Sequence, residues 1–412
     1  MADQEFYDDL ETRDPELRDK EQMAALGGQV AYAKDNAPYF TELLKDIDPA
    51  DITSLDALAA LPVTRKSDLI ERQAQMAPFG GLNAEDVSKI AYIHQSPGYI
   101  YEPAGNVPDY WRMARGFWAA GMRPGQIVHN TFSYHLTPAG MIMEGGARAI
   151  GCPIFPGGTG NTEQQIEAML HLKPEAYAGT PSFLKILLDK AAEKGVKPSY
   201  KSASVGGEPL FPQVRQAIID HGVTVLQGYA TAELGSIAYE SKAMEGMIIE
   251  ENAIVEIVRP GSGDLVPEGE VGEVVVTIIN KTYPLLRFAT GDLSAIMAGQ
   301  SPCGRTNKRI KGWMGRADQT TKVKGMFVHP AQINKVADRH PEIIKARLVV
   351  TNTDGKDNMT LNCEVEGNPE GLREAIADSL QTISKLKGDV ELVAPGSLAN
   401  DGKVIDDTRS ME

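Results

Sequence analysis

Two segments that follow predicted strands carry side chains suited to binding a nucleotide. SVGGEPL, residues 204–210, lies between a predicted strand and a predicted helix, where backbone amides are available to a ligand. LQGYATAELG, residues 226–235, supplies an aromatic ring, Tyr229, that can stack on a base. It also supplies Glu233, whose oxygens are the hard ligands that Mg²⁺ prefers. The alternatives are an ordinary strand-to-helix turn and a solvated glutamate at a helix start.

Three further segments carry charged side chains suited to ribose and phosphate. In LLRFATGDL, residues 285–293, Asp292 follows a strand-like run and could accept hydrogen bonds from adjacent hydroxyls. In RIKGWMGRADQTTKVKG, Arg316 could reach phosphate or ribose oxygens and Asp318 could act as a hinge. PGSLANDGKVID, near the C-terminus, presents Lys403, for which a merely solvated lysine is the alternative.

The predicted secondary structure around these residues changes along the chain. The first ninety residues predict helices joined by turns, and from Ile90 short β-rich runs alternate with helical patterns. Such alternation predicts an α/β fold whose mostly parallel sheet is covered by helices and binds ligands at the carboxyl ends of its strands. After Glu250 the pattern predicts an antiparallel β subdomain. The last part predicts a small α+β domain, so we expect domains at residues 1–317 and 318–412.

Composition narrows the class of protein. The chain has 412 residues, of which 42% are hydrophobic, and a net charge of -15, which argues against a nucleic-acid partner. We find no secretory signal and no apolar stretch near the roughly 20 residues that a bilayer demands, so we expect no membrane association and a cytoplasmic location. Cys152, Cys303 and Cys363 are widely spaced, which fits a reducing compartment. Cys303 in SPCGRT has no nearby partner, and we predict no zinc site.

Taken in order, the five segments resemble the adenylate-forming superfamily, and the nearest resemblance is to phenylacetate–CoA ligases. It extends over nearly the whole chain and includes AAGMRPGQIV, SYHLTPAG, GCPIFPGG and YAGTPSFL. The resemblance implies a ligase that uses ATP and Mg²⁺ to convert a small carboxylic acid, aryl or short and polar, into an acyl-adenylate. CoA then displaces AMP. It also implies a small domain that moves between the two steps, and a homodimer.

The resemblance assigns roles residue by residue. The adenine would lie against Gly207, Glu208, Pro209 and Tyr229, while Asp292 would bind the ribose. Glu233 would bind magnesium, and Arg316 would lie with Asp318 in the hinge region. Lys403 would stabilise charge on the α-phosphate. The acid would contact a set of residues near the strand ends: Tyr134, His135, Leu136, Gly157, Gly158 and Ala203. An imidazole such as His135 could pair with the substrate carboxylate, and a buried, merely hydrogen-bonded histidine is the alternative.

One segment departs from the family. The phosphate loop should be rich in Ser, Thr and Gly and end in Gly-Lys-Pro, but residues 93–105 are IHQSPGYIYEPAG. Only Ser96 and Gly98 match, no lysine occurs between Lys89 and Lys173, and Glu102 is expected to repel a triphosphate. The YATAE segment also has alanine where relatives have glycine and a hydroxyl residue.

Two functions therefore stay open. The first is an active ligase whose phosphates are bound by other cations, with Arg112 and Arg115 as candidates. The second is a relative that binds acyl-CoA or an adenylate but has lost ATP-dependent activation. A nicotinamide oxidoreductase is disfavoured because GGTGN, residues 157–161, lacks the full GxGxxG fingerprint.

Overall fold

The chain forms two compact units. The computed structural model describes residues 4–96, 99–259, 262–314, 316–317, 319, 321–328, 330–353, 356–367, 369–399 and 403–409. The first unit comprises Met1–Thr290 and Ser294–Trp313, and the second comprises Gly291–Leu293 and Met314–Glu412. The predicted hinge residue Asp318 lies outside the described residues.

The N-terminal region is helical, as its sequence predicts. Its helices are α1 (Pro15–Asn36), α2 (Pro38–Leu43), α3 (Leu55–Ala59) and α4 (Leu69–Gln75). Single 3-10 turns lie at Asp9–Thr12, Pro49–Asp51, Lys66–Asp68 and Val87–Lys89, and the short strand β1 (Thr64–Arg65) precedes the third of them. The helix α1 begins where the Asp14 carboxylate accepts hydrogen bonds from the amides of Glu16 and Leu17.

A two-stranded hairpin replaces the expected glycine-rich loop. Strands β2 (Ile90–Ser96) and β3 (Ile100–Gly105) pair antiparallel, with His94 opposite Glu102. His94, Ser96 and Glu102 are buried, whereas Tyr101 is exposed, so one face of the hairpin is turned into the protein.

The core of the first unit is a sheet whose central part is parallel. Its parallel strands, adjacent in the order β8-β7-β6-β4-β5, are β4 (Val128–Asn130), β5 (Ile154–Pro156), β6 (Ala176–Gly179), β7 (Ser202–Val205) and β8 (Thr224–Thr231). Helices cover both faces: α5 (Ala114–Ala119) and α6 (Ala139–Ala149) on one, and α7 (Thr162–Leu172), α8 (Pro181–Glu193) and α9 (Pro212–Asp220) on the other. The alternation of β6 shows this, because Ala176 and Ala178 pack with the first set and Tyr177 with the second. The predicted α/β fold is confirmed.

Antiparallel strands complete the first unit, and those that follow Glu250 are the ones that the sequence predicts. Strands β9 (Gly235–Glu240) and β10 (Met247–Ile249), with the later β14 (Ile296–Met297) and β15 (Arg309–Ile310), extend the central sheet beyond β8. Strands β11 (Ala253–Val258), β12 (Gly272–Ile278) and β13 (Phe288–Ser294) form a second sheet with β1 at its edge. Strands β14 and β15 pair antiparallel.

The second unit is the small α+β domain that the sequence predicts. It contains β16 (Thr321–Val323), β17 (Met326–Val328), α10 (Pro330–Asp338), β18 (Ile343–Thr353), β19 (Lys356–Val365), α11 (Leu372–Ser384), β20 (Asp389–Val393) and β21 (Ile405–Asp407). The sheet order is β20-β19-β18-β21, with β18 and β19 antiparallel. Across the described part of the chain, we find no helix both long and apolar enough to span a bilayer.

Candidate active site

The turns that follow two neighbouring strands meet at one edge of the central sheet. Strands β7 and β8 run parallel, with Val205 opposite Gln227, so the turn after β7 lies beside the part of β8 that carries Tyr229. A Cβ on Gly206 would lie 3.1 Å from the carbonyl oxygen of Gly228, which shows how closely the two segments approach. The structure therefore brings the predicted adenine-binding turn and Tyr229 together at the carboxyl ends of the strands.

The turn itself is held by its own side chains. Gly207 has a φ of +77°, a left-handed conformation that favours glycine. A Cβ at this position would lie 3.3 Å from the ring of Phe132. The Glu208 carboxylate accepts a hydrogen bond of 2.8 Å from the amide of Ser182, in the first turn of α8. Glu208 thus ties the turn to the start of a helix, where a carboxylate is stabilised by the helix dipole. Pro209 is half-buried.

Glu233 lies in the turn between β8 and β9, not at the start of a helix. It is only 3% exposed, and its Oε1 lies 2.5 Å from Nζ of Lys66. Burial, the largest single influence, raises the pKa of Glu233, but the charge and hydrogen bond of Lys66, together with hydrogen bonds from the Glu233 amide and Thr231, outweigh it and leave the pKa lowered. The residue predicted to bind magnesium is therefore an ionised, buried carboxylate with a lysine partner, and the alternative of a solvated glutamate is wrong.

The hairpin faces this carboxylate with a second one, Glu102. The Ser96 hydroxyl donates a hydrogen bond of 2.5 Å to Oε1 of Glu102, whose residue is 1% exposed. Burial first, and the charge of Glu233 second, raise the pKa of Glu102 to about 8. At neutral pH Glu102 is thus protonated, so the expected repulsion of a triphosphate by this residue is wrong. Gly98, the other predicted loop residue, lies outside the described residues.

The two arginines considered as phosphate-binding cations are engaged elsewhere. The Arg112 guanidinium donates hydrogen bonds to the carbonyl oxygens of Leu234 and Tyr110. Arg115 forms ion pairs with Asp8 and with buried Glu250. Both side chains hold the fold together, so the structure does not support them as ATP ligands.

Protonation of Glu102 should make the free energy of unfolding depend on pH. Because the folded protein holds this proton up to about pH 8 and an unfolded glutamate releases it near 4.5, unfolding releases a proton between these values. The contribution of Glu102 to stability is therefore complete below pH 4.5 and is lost as the pH rises towards 8. We expect Glu102→Gln, which is neutral at every pH, to be more stable than the wild type at pH 8 by a few kcal/mol and nearly equal at pH 5.

Urea unfolding of both proteins at the two pH values measures this difference. The exposed Glu71 of α4 provides the control, since Glu71→Gln removes the same charge from the surface. An unfolding free energy of Glu102→Gln that parallels the wild type from pH 5 to pH 8 would show that Glu102 is ionised throughout.

The predicted acid-contacting residues are linked by a buried asparagine. Asn130 lies at the end of β4, and its side-chain Nδ2 donates a hydrogen bond of 2.8 Å to the Tyr134 hydroxyl. The backbone carbonyl of Asn130 accepts a hydrogen bond of 3.1 Å from the amide of Gly158. Gln165 of α7 donates to the Gly158 carbonyl at 2.8 Å. Burial first, and Glu144 second, raise the pKa of Tyr134, so its hydroxyl stays protonated. Tyr134 and Gly158 are thus fixed with respect to each other.

A neutral histidine supports the neighbouring glycine. Nε2 of His129 lies 2.9 Å from Oε1 of Gln165, and a Cβ on Gly157 would lie only 2.7 Å from that nitrogen. Burial lowers the pKa of His129 to about 4, so the imidazole is uncharged. Any side chain at Gly157 would push into this pair, which explains glycine there.

The other predicted acid-contacting residues differ in their surroundings. His135 and Leu136 are exposed, so the alternative of a buried histidine is not observed. The Leu136 carbonyl accepts a hydrogen bond from the amide of Gln95, which attaches this segment to the hairpin. Ala203 is fully buried in the core with Tyr177 and Val205, and the structure does not bring it to the surface beside the others.

The predicted ribose-binding and hinge residues meet within the second unit. Nη1 of Arg316 lies 2.9 Å from Oδ1 of Asp292, which is 8% exposed. Gly291 has a φ of +74°, and a Cβ there would lie 2.5 Å from the Arg316 guanidinium. The glycine preceding Asp292 therefore leaves room for the ion pair.

Lys403 lies near the end of the same unit. Its side chain is 50% exposed, and Nζ donates to Oδ1 of Asp406 at 2.9 Å. The Lys403 carbonyl accepts a hydrogen bond of 3.1 Å from Arg347. The backbone at this lysine is thus anchored while its ammonium group remains accessible.

Sequence reasoning missed one residue of this site, Lys66. It lies 167 positions from Glu233 in the sequence, in a 3-10 turn after β1, and nothing in the segment VTRKSDL indicates such a partner. The one available signal was indirect, because a buried carboxylate requires a counter-charge.

Comparison with known proteins identifies the class. Residues 113–279 match the family model of AMP-binding enzymes, and these residues include the turn after β7 and Glu233. The fold and the site thus define an adenylate-forming enzyme. The chain is 31% identical over 381 residues to the phenylacetate-coenzyme A ligase of Thermus thermophilus, covering 87% of this chain and 84% of that protein. It is 30% identical to the enzyme of the same name from Aromatoleum evansii, with 87% and 86% covered. The chain belongs to the phenylacetate–CoA ligase family.

A solved structure agrees over the full length. The crystal structure of 2-hydroxyisobutyryl-CoA ligase in complex with 2-HIB-AMP and CoA, in the thioesterification state, matches with a TM-score of 0.81 at 26% identity. The match covers 100% of this chain and 94% of that one. The resemblance inferred from the sequence is therefore confirmed for the chain as a whole.

Proposed function

We propose that this protein is an AMP-forming acyl-CoA ligase that activates a small carboxylic acid with ATP and transfers the acyl group to CoA. The observation that carries this is the full-length match to a ligase that holds an acyl-adenylate and CoA together. The strand ends of the first unit support it, because the turn that holds Gly207 and Glu208 lies beside the part of β8 that carries Tyr229, at the sheet edge where an adenine can lie.

In the first step, a carboxylate oxygen of the acid attacks the α-phosphorus of ATP, and the bond to pyrophosphate breaks. Asp292, oriented by Arg316, accepts hydrogen bonds from the ribose hydroxyls. Lys403 places its ammonium group against the α-phosphate oxygens, where negative charge develops. Accessibility of this lysine on an anchored backbone supports the assignment.

Mg²⁺ fits Glu233. The residue is a buried carboxylate held in the ionised state, and Mg²⁺ is commonly bound by one or two carboxylates together with substrate phosphates and waters. No group of three or more His, Cys, Asp or Glu that could hold a metal occurs in the described ranges, so phosphate and water oxygens would complete the shell. When bound, the ion would neutralise charge on the phosphates.

In the second step, the CoA thiolate attacks the acyl carbon and AMP leaves. We propose that residues 318–412 form the mobile lid, which withdraws Lys403 so that CoA can approach. A separate hydrophobic core around Leu348, Leu361 and Ile376, all within residues 318–412, supports a domain that moves as a whole.

For the acid, we propose an aryl or a short, polar substituent. Tyr134 and Gly158, linked through Asn130, place polar groups close to the carboxyl end of β4, and Gly157 has no room for a side chain beside His129. Trapping the acyl-adenylate with hydroxylamine tests this across phenylacetate, benzoate, 2-hydroxyisobutyrate and a long-chain acid. We expect hydroxamate from one of the small acids at least tenfold faster than from the long-chain acid, since each unfilled or clashing methylene costs about 1–3 kcal/mol.

The second candidate is a relative that binds acyl-CoA or an adenylate without ATP-dependent activation. The absence of lysine from residues 93–105 favours it. This candidate predicts that no acid yields hydroxamate although acyl-CoA binds.

We further propose a homodimer in the cytoplasm. The buried free thiols of Cys152, Cys303 and Cys363 support the reducing compartment. Light scattering of the purified protein measures the assembly.

A further inference from the structure

We propose that Lys66 binds the β- and γ-phosphates of ATP, supplying from the segment after β1 the cation that residues 93–105 lack. This inference rests on the proposed ligase function, because the phosphates are those of its nucleotide. Neither the family match, which begins at residue 113, nor the sequence motifs include Lys66.

The ion pair between Lys66 and Glu233 is asymmetric. The Glu233 side chain is 1% exposed, whereas the Lys66 side chain is 35% exposed. Part of the Lys66 side chain is thus open to solvent beside a carboxylate that is not. We infer that a ligand approaching Glu233 meets the partly exposed Lys66 side chain.

Lys66 and the hairpin are held by the same segment. The 3-10 turn Lys66–Asp68 runs directly into α4, where buried Gln73 donates to the Tyr101 carbonyl at 2.8 Å and accepts from the Tyr101 amide at 2.8 Å. The Gln73 amide group thus pairs with the backbone of β3 as a residue of a neighbouring strand would. The segment thus fixes the hairpin that takes the place of the phosphate loop and brings a cation next to it.

The chemistry of the pair fits a phosphate ligand. Lysine presents three donors on a flexible stem and binds phosphate as a point charge. Glu233 is the residue proposed to bind Mg²⁺, and once its charge is satisfied there, Lys66 can turn to the phosphate oxygens. Arg112 and Arg115, which were the other candidates, are held by Leu234, Asp8 and Glu250.

Isothermal titration calorimetry with ATP, pyrophosphate and AMP, each with Mg²⁺, tests the inference. In Lys66→Ala we expect the Kd of ATP and of pyrophosphate to rise at least tenfold, the value typical of a lost charge-assisted hydrogen bond, and the Kd of AMP to change less than twofold. Lys66→Arg, which keeps the charge, should recover most of the loss. Lys89→Ala removes an exposed lysine just before the hairpin and should leave all three affinities unchanged.

A second measurement needs no variant. Lys66 of the wild type should react with acetic anhydride, and ATP or pyrophosphate should protect it at least fivefold while AMP should not, as read by peptide mass spectrometry. The half-exposed Lys403 in the same digest reports on the α-phosphate.

The outcomes separate the two proposals. Unchanged ATP and pyrophosphate affinity in Lys66→Ala, equal weakening of all three ligands, or no protection of Lys66 overturns the role of Lys66 while the ligase stands. Failure of the wild type to bind AMP at all overturns the proposed function and the role of Lys66 with it.

Discussion

Replacing Lys403 by alanine lowers the rate of acyl-adenylate formation by about 10²–10³-fold, because the α-phosphate loses a positioned cation while negative charge develops on it. The rate at which CoA is acylated from a supplied acyl-adenylate changes less than threefold, since Lys403 is withdrawn in that step. The two half-reactions are measured separately, by hydroxamate formation from ATP and acid and by thioester formation from the chemically prepared adenylate.

The control for Lys403 lies in the same unit. Lys387 is an exposed lysine near the start of β20, and Lys387→Ala should leave both half-reactions unchanged. If Lys403→Ala slowed both half-reactions alike, the lysine would be acting on the fold of the small domain and not on the α-phosphate.

The second large effect is expected at Asp292. Asp292→Ala should weaken AMP binding by about 10²–10⁴-fold, because two hydrogen bonds from ribose hydroxyls to a carboxylate are lost at about 1.5–3 kcal/mol each. The variant also leaves the Arg316 guanidinium without the carboxylate that lies 2.9 Å from it. Calorimetric titration of AMP measures the change.

Deoxynucleotides show whether Asp292 acts on the ribose itself. The wild type should bind 2′-deoxy-AMP at least tenfold more weakly than AMP, and Asp292→Ala should bind both with nearly equal affinity. If the variant still discriminated against the deoxy sugar as strongly as the wild type does, Asp292 would affect nucleotide binding only through Arg316.

The alternation of strands and helices was enough to predict the central sheet. Apolar runs such as AYAG and SASV are short, continuous and followed by helical patterns, and they form the buried parallel strands β6 and β7. The residues proposed at their carboxyl ends follow from topology, since parallel neighbours end at the same edge. Gly207 and Tyr229 could therefore be placed together from sequence.

Charge pairing between distant segments could not be predicted in this way. Glu102 was expected to be charged and to repel phosphate. Its burial and its hydrogen bond from Ser96 arise only because one face of the hairpin is turned into the protein, which the sequence does not reveal. Arg115 looked available because its partners, Asp8 and Glu250, are distant in sequence. Lys66 was overlooked for the same reason. A carboxylate or a cation alone has no periodicity, and its ionisation is decided by what the fold packs against it.

Exchange of labelled pyrophosphate into ATP is the sharpest test of the proposed activity, because it requires only the reversible formation of an acyl-adenylate. We expect exchange that depends on one of the small carboxylic acids and on Mg²⁺, proceeds without CoA, and is slowed about 10²–10³-fold in Lys403→Ala. Absence of exchange with every acid, from a folded protein that binds acyl-CoA, would contradict it.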